Sequence, residues 1–94
     1  MGLGYALSED IHFKGGEILD RNFHTYKIPR FSWLPEIEAV IIDAKSAPPQ
    51  GGGEPAIITM GAVIANAIYD AVGVRMFQLP MTPERIKAAI IQAG

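Results

Sequence analysis

Glu54 is a side chain whose type could move a proton, ligate a metal or complement a helix dipole. It stands where a glycine run gives way to a helix: Gly51, Gly52 and Gly53 precede it and Pro55 follows. Consecutive glycines leave the backbone unshielded, so its N–H groups can approach a ligand closely. Helix N-termini favour anions, by about 0.3–1 kcal/mol for a nearby charge. On local sequence alone a plain flexible linker explains the same glycines equally well. The run is not a phosphate-binding P-loop, because no Gly-Lys-Ser/Thr ending follows. It also lacks the G-x-G-x-x-G spacing of a dinucleotide fingerprint. Glu54 itself can serve as an acid that complements the helix dipole, as a metal ligand, or as a general base within hydrogen-bonding reach of a substrate-side proton. The metal role lacks a second ligand at helical spacing.

The remaining polar candidates are weaker. His12 and His24 lie on different extended segments, with no carboxylate or second His at ligand spacing, and read as surface or packing residues. Ser8-Glu9-Asp10 reads as a solvated turn, and Tyr26, Phe31 and Trp33 as core or interface aromatics. The absence of cysteine rules out a disulfide framework, a thiolate zinc site, a Cys nucleophile, and an iron–sulfur cluster held by this chain.

The elements that must position Glu54 follow from pattern. Ile11-His12-Phe13 and Glu17-Ile18-Leu19 flank Lys14-Gly15-Gly16, a β-hairpin signal. Asn22–Ile28 is expected to be extended, and Pro29 and Pro35 punctuate a loop. From Glu36 to Asp43, Ile37, Val40, Ile41 and Ile42 give a strand rich in β-branched residues. Residues 46–53 then form a Pro/Gly-rich loop. Pro55 suits a first helical position and Gly73 a C-terminal stop, so a helix is expected between them. Thr59, Asn66 and Asp70 form its one polar stripe. A helix this apolar all round belongs inside a larger core than 94 residues can supply. Val74–Leu79 reads as a strand. Thr82-Pro83-Glu84 opens a final helix with Ile86, Ala89, Ile90 and Ala93 on one face. The fold class is therefore α+β: a β-hairpin and strands followed by helix, strand and helix, in a single small domain over residues 1–94.

Composition bounds the function. The chain is 49% hydrophobic and 19% charged with a net charge of −2, which is globular rather than disordered. Its basic residues are scattered, so no nucleic-acid footprint forms. The N-terminal residues lack the pattern of a signal peptide. Ala56–Val72 is very apolar but carries Asn66 and Asp70, so a membrane span is not expected. A soluble cytoplasmic protein is the default.

The run Pro48-Pro49-Gln50-Gly51-Gly52-Gly53-Glu54-Pro55-Ala56-Ile57 begins a longer series. It continues through Ala65–Arg75 and Leu79-Pro80-Met81-Thr82-Pro83-Glu84-Arg85. Together with Gly2–Glu9 and the Asn22–Tyr26 block, this ordered series resembles the C-terminal part of molybdopterin-binding subunits. These belong to the xanthine dehydrogenase and aldehyde oxidase family, with a flavour of nicotinate or isoquinoline dehydrogenases. The resemblance implies a fragment of a larger molybdopterin-binding domain, with residues 46–53 as an active-site loop and Glu54 as the catalytic base. It further implies that Gly51, Gly52 and Gly53 approach a molybdenum cofactor, either molybdopterin or molybdopterin cytosine dinucleotide. No residue of this chain is expected to ligate the metal. An aldehyde or N-heteroaromatic substrate would be hydroxylated with oxygen from water. Iron–sulfur and flavin centres would lie on partner segments, and the rest of the subunit would complete an oligomer.

Two positions depart from the family pattern. Met1 stands where members carry a cofactor-contacting Gln. Thr59-Met60-Gly61 replaces a stretch that contains Pro in many relatives, so altered first helical turns are expected. Two rival readings stay open: a non-catalytic accessory or assembly module, including a truncated remnant of the family, and an unrelated small anion-binding domain.

Overall fold

The computed structural model describes residues 1–94. In order, the elements are α1 (Gly2–Leu7), β1 (Phe13–Lys14), β2 (Glu17–Ile18), a 3-10 turn (Phe31–Trp33), α2 (Gly53–Ile58), α3 (Met60–Val72) and α4 (Pro83–Ala93). The core is small and sits between α1, the start of α3 and the segment leading into α4. Its buried members are Gly2, Gly4, Ala6, Val74, Pro80 and Met81. The radius of gyration is 17.0 Å, where a compact domain of this length would show about 12 Å. The chain is open, not globular.

Helix α1 was not foreseen. Its residues are too few and too rich in glycine to form a helix on propensity. Packing makes up the difference, because its small side chains let backbones close in. A Cβ at Gly2 would lie 2.5 Å from Met60 Cγ and 3.4 Å from Ile57 Cα. A Cβ at Gly4 would run into the Glu9 carboxylate and the Pro29 ring. The Met81 N–H donates to the Ala6 carbonyl at 2.6 Å, tying α1 to the entry of α4.

The hairpin forms where expected. Phe13 pairs with Ile18 and Lys14 with Glu17, antiparallel. Gly15 and Gly16 both take positive φ, 59° and 84°, as a type I′ turn requires. Asn22–Tyr26 is a turn instead of the expected extended run. The Asn22 side chain accepts from the His24 N–H at 3.1 Å, and its carbonyl accepts from Tyr26 at 3.0 Å. That is the local chemistry by which Asn competes with extended structure.

Two expected strands, Glu36–Asp43 and Val74–Leu79, do not form. The sheet contains β1 and β2 alone, and a strand needs a neighbour's backbone to satisfy its own. Ile37, Val40, Ile41 and Ile42 are left 72–91% exposed.

The apolar helix forms but is interrupted once. Thr59 separates α2 from α3, its hydroxyl donating back to the carbonyls of Ala56 at 3.2 Å and Pro55 at 3.4 Å. Such back-bonding locally bends helices. The stop is as expected: Gly73 caps α3 at φ 74°. Arg75 then folds back over the ring of Tyr69, 3.5 Å from its centroid, and donates to Asn66 at 3.0 Å. At α4, Thr82 caps the helix by accepting from the Arg85 N–H, with Pro83 next. Residues Gly53–Val72 form a 20-residue stretch whose most apolar 18-residue window has a mean hydropathy of 1.5 and is not buried. By length and composition alone it could cross a membrane, although the sequence reading sets a membrane aside.

Candidate functional site

Glu54 lies in the first turn of α2, fully on the surface. Gly52 is the N-cap of this helix and supplies no side-chain cap, so the first backbone N–H groups are left for other partners. No cation of the chain pairs with the Glu54 carboxylate. A Cβ added at Gly51, Gly52 or Gly53 would meet no atom within 4 Å. The loop is thus open on all sides, and another molecule can reach both its amides and the carboxylate. These residues can supply an anionic proton acceptor beside an unshielded backbone. No group of three or more His, Cys, Asp or Glu gathers anywhere in the chain.

The two histidines stay apart from this site. His12 is engaged by Asp20: its backbone N–H donates to the carboxylate at 2.5 Å, and Nδ1 lies 2.8 Å from the same oxygen. These contacts, the backbone bond foremost, lower the Asp20 pKa below the usual carboxylate value. His24 is exposed. Glu84, in the first turn of α4, is also held below its ordinary pKa, chiefly by its own backbone N–H and then by Thr82.

Sequence reasoning missed a polar frame on the opposite side of α1. Tyr26 donates its hydroxyl to Glu9 at 2.5 Å, which pushes the phenol up to about 12. Arg85 bridges Asp10 at 3.1 Å and the Pro80 carbonyl at 2.7 Å. Asp10 and Arg85 are far apart in the sequence, and nothing in their local patterns signals the pairing. A depression of about 520 Å³ lies between α1, Lys27, Trp33 and the start of α4. Glu54 is not part of it, so the site is an open surface and not a pocket of this chain.

No family model matches the chain. Individual relatives do. It is 38% identical over 85 residues to a subunit of nicotinate dehydrogenase from Pseudomonas putida, covering 90% of this chain and 7% of that protein. It is 36% identical over 100 residues to the xanthine dehydrogenase molybdenum-binding subunit of Escherichia coli O157:H7, covering all of this chain and 13% of that protein. A third relative, the membrane-bound aldehyde dehydrogenase (pyrroloquinoline-quinone) of Gluconacetobacter polyoxogenes, is 37% identical over 82 residues, 87% of this chain and 10% of that protein. In sequence the chain belongs with the molybdenum-binding subunits of the xanthine dehydrogenase and aldehyde oxidase family. It spans about a tenth of the length of the curated relatives it matches.

Proposed function

We infer that the chain works as one segment of a molybdenum hydroxylase that oxidises an aldehyde or an N-heteroaromatic substrate with water as the oxygen source. Glu54 is its general base. The observation that carries this reading is an exposed, unpaired carboxylate at a helix start, directly behind three glycines with open space around each. The family match supplies the chemistry to which such a carboxylate is suited.

A molybdenum cofactor, as molybdopterin or its cytosine dinucleotide, would accept the two electrons of the oxidation. The amides of Gly51–Gly53 are the groups of this chain that can approach it, because no side chain shields them. The residues fit that role, since they offer access but no ligand set for the metal itself. Glu54 takes the proton released by the attacking water-derived group. Everything else, including iron–sulfur and flavin relays and most of the substrate funnel, belongs to partner segments.

The direct test is cofactor analysis of the native assembly that retains this chain. Molybdenum in stoichiometric amount with the chain is the expected result. A stable assembly without molybdenum would make the chain an accessory or assembly module, and pyrroloquinoline quinone in its place would overturn the cofactor assignment. Phosphate or sulfate binding at Gly51–Pro55 in an otherwise monomeric, cofactor-free chain would favour the small anion-binding domain.

A further inference from the structure

We propose that Gly2 is a positioning residue for Glu54: it seats α1 against α2 at Ile57, and that seat sets the direction of the helix whose first turn carries the carboxylate. The proposal rests on the functional reading above, since it takes Glu54 as the general base.

Helix α2 is a weak support for a side chain that must be held in place. It is six residues long, too short to be stable unaided. Every residue of it is exposed except Ile57, which is half-buried. Its junction with α3 is interrupted at Thr59, whose hydroxyl bonds back to the carbonyls of Pro55 and Ala56. A helix interrupted in this way bends at that point, so α3 alone does not fix where α2 points.

The support at Ile57 comes from Gly2. A Cβ at Gly2 would lie 3.4 Å from Ile57 Cα, 3.1 Å from Met60 Cβ and 2.5 Å from Met60 Cγ. Rotation of the Met60 side chain clears Cγ, but Ile57 Cα and Met60 Cβ move only with the helix backbone. Gly2 is itself buried, so a side chain there presses on α2. Ile57 follows Glu54 by three residues, about 4.5 Å along the axis at 1.5 Å per residue. A shift at Ile57 therefore reaches the carboxylate within one helical turn.

Helix α1 is held in its turn by the small core. Ala6 and Met81 are 1% and 2% exposed, and the Met81 N–H donates to the Ala6 carbonyl. Arg85 of α4 pairs with Asp10, just beyond α1, at 3.1 Å. The core thus places α1, and α1 through Gly2 places the start of α2. General-base catalysis is sensitive to such placement: a shift of about 1 Å imposed from far away costs on the order of a hundredfold. A single methyl group at position 2 displaces the helix by less than that, so a loss of about tenfold is expected.

The test uses the assembled molybdenum enzyme that retains this chain, with turnover expressed per bound molybdenum. Wild type, Gly2→Ala, Glu54→Gln and the Gly2→Ala/Glu54→Gln pair are compared. Gly2→Ala should lower kcat by about tenfold and leave KM within about twofold, as when stabilisation of the transition state alone is lost. In the Glu54→Gln background the same change should cost less than about twofold, because a residue that acts through the base then has nothing to position. Adding Met60→Ala to Gly2→Ala removes the atom struck hardest and should leave a loss of only about threefold. If Gly2→Ala alone does not assemble, that milder pair carries the comparison in both backgrounds, since Met60 Cβ and Ile57 Cα still meet the added methyl. Full kcat in the position 2 variants beside a large loss in Glu54→Gln would overturn the positioning role and leave Glu54 as the base. A near-normal rate in Glu54→Gln would instead remove the base, and with it the reading on which the proposal rests. Equal losses from Gly2→Ala in both backgrounds, a loss that Met60→Ala does not relieve, or a raised KM with kcat unchanged would each overturn the proposal.

Discussion

At the scale of single residues, close packing and two polar contacts decide what holds. Gly4 is required because a Cβ there would strike the Pro29 ring, 2.8 Å from Cγ, as well as the Glu9 carboxylate. Gly4→Ala forces one of these apart, and overpacking of this kind costs about 1–3 kcal/mol. The thermal midpoint should fall accordingly, and an unchanged midpoint would show that Glu9 and Pro29 yield without cost. Glu9 also receives the Tyr26 hydroxyl, and this raises the phenol from 10.0 to about 12. Because the folded chain holds this proton more tightly than the unfolded one, the contact contributes fully below pH 10 and is lost as pH rises through about 12. Spectrophotometric titration should show one of the three tyrosines ionising late, and Glu9→Gln should return it toward the ordinary range. A late tyrosine that persists in Glu9→Gln would assign the shift to something other than this hydrogen bond. Neither the Gly4 contact nor the Glu9–Tyr26 pair could be read from sequence, since both join segments brought together by the fold.

Individual elements divide by whether their stabilising partners are local. The hairpin at Phe13–Ile18, the left-handed stop at Gly73 and the Thr82 cap are set by residues within a few positions of one another, and all three were legible. Their physics is that of turn and cap residues and needs no distant partner. The strands expected at 36–43 and 74–79 have the right composition, but a strand's hydrogen bonds belong to its neighbour, and this chain supplies none. Helix α1 shows the converse, a weak sequence made helical by what it packs on. Glu54 and its glycines stand in one contiguous run that the sequence displays directly, but the role proposed for them rests on the family resemblance, and no contact of their own within the chain positions them. Residues 48–53 should accordingly exchange their amides rapidly in the isolated chain, well ahead of the α3 interior. Exchange in that loop as slow as in α3 would mean that the chain organises the site unaided.

The whole molecule is an assembly of elements with too little core. Six of 94 residues are buried, and large apolar side chains, among them Phe13, Phe31, Ile41, Ile58 and Phe77, face solvent at 76–94% exposure. Apolar exposure on this scale is unusual for a soluble monomer. The isolated chain should therefore self-associate or unfold easily, through the apolar helical stretch. Sedimentation showing a stable monomer would argue that the exposed apolar helix is not an association surface, and insertion of Gly53–Val72 into lipid vesicles would assign its apolar stretch to a membrane instead. The most direct test of the central claim is made in the assembled enzyme, as turnover per bound molybdenum for wild type and for Glu54→Gln. The amide keeps the shape and hydrogen-bonding capacity of the side chain but cannot accept the proton. A general base contributes about 10²–10⁴-fold, roughly 3–5 kcal/mol of barrier. Turnover should fall by that factor while molybdenum content and folding change little. A Glu54→Gln enzyme with full cofactor and a near-normal rate would remove Glu54 from the mechanism and leave it a helix-start acid, whose loss costs at most about 1 kcal/mol of stability.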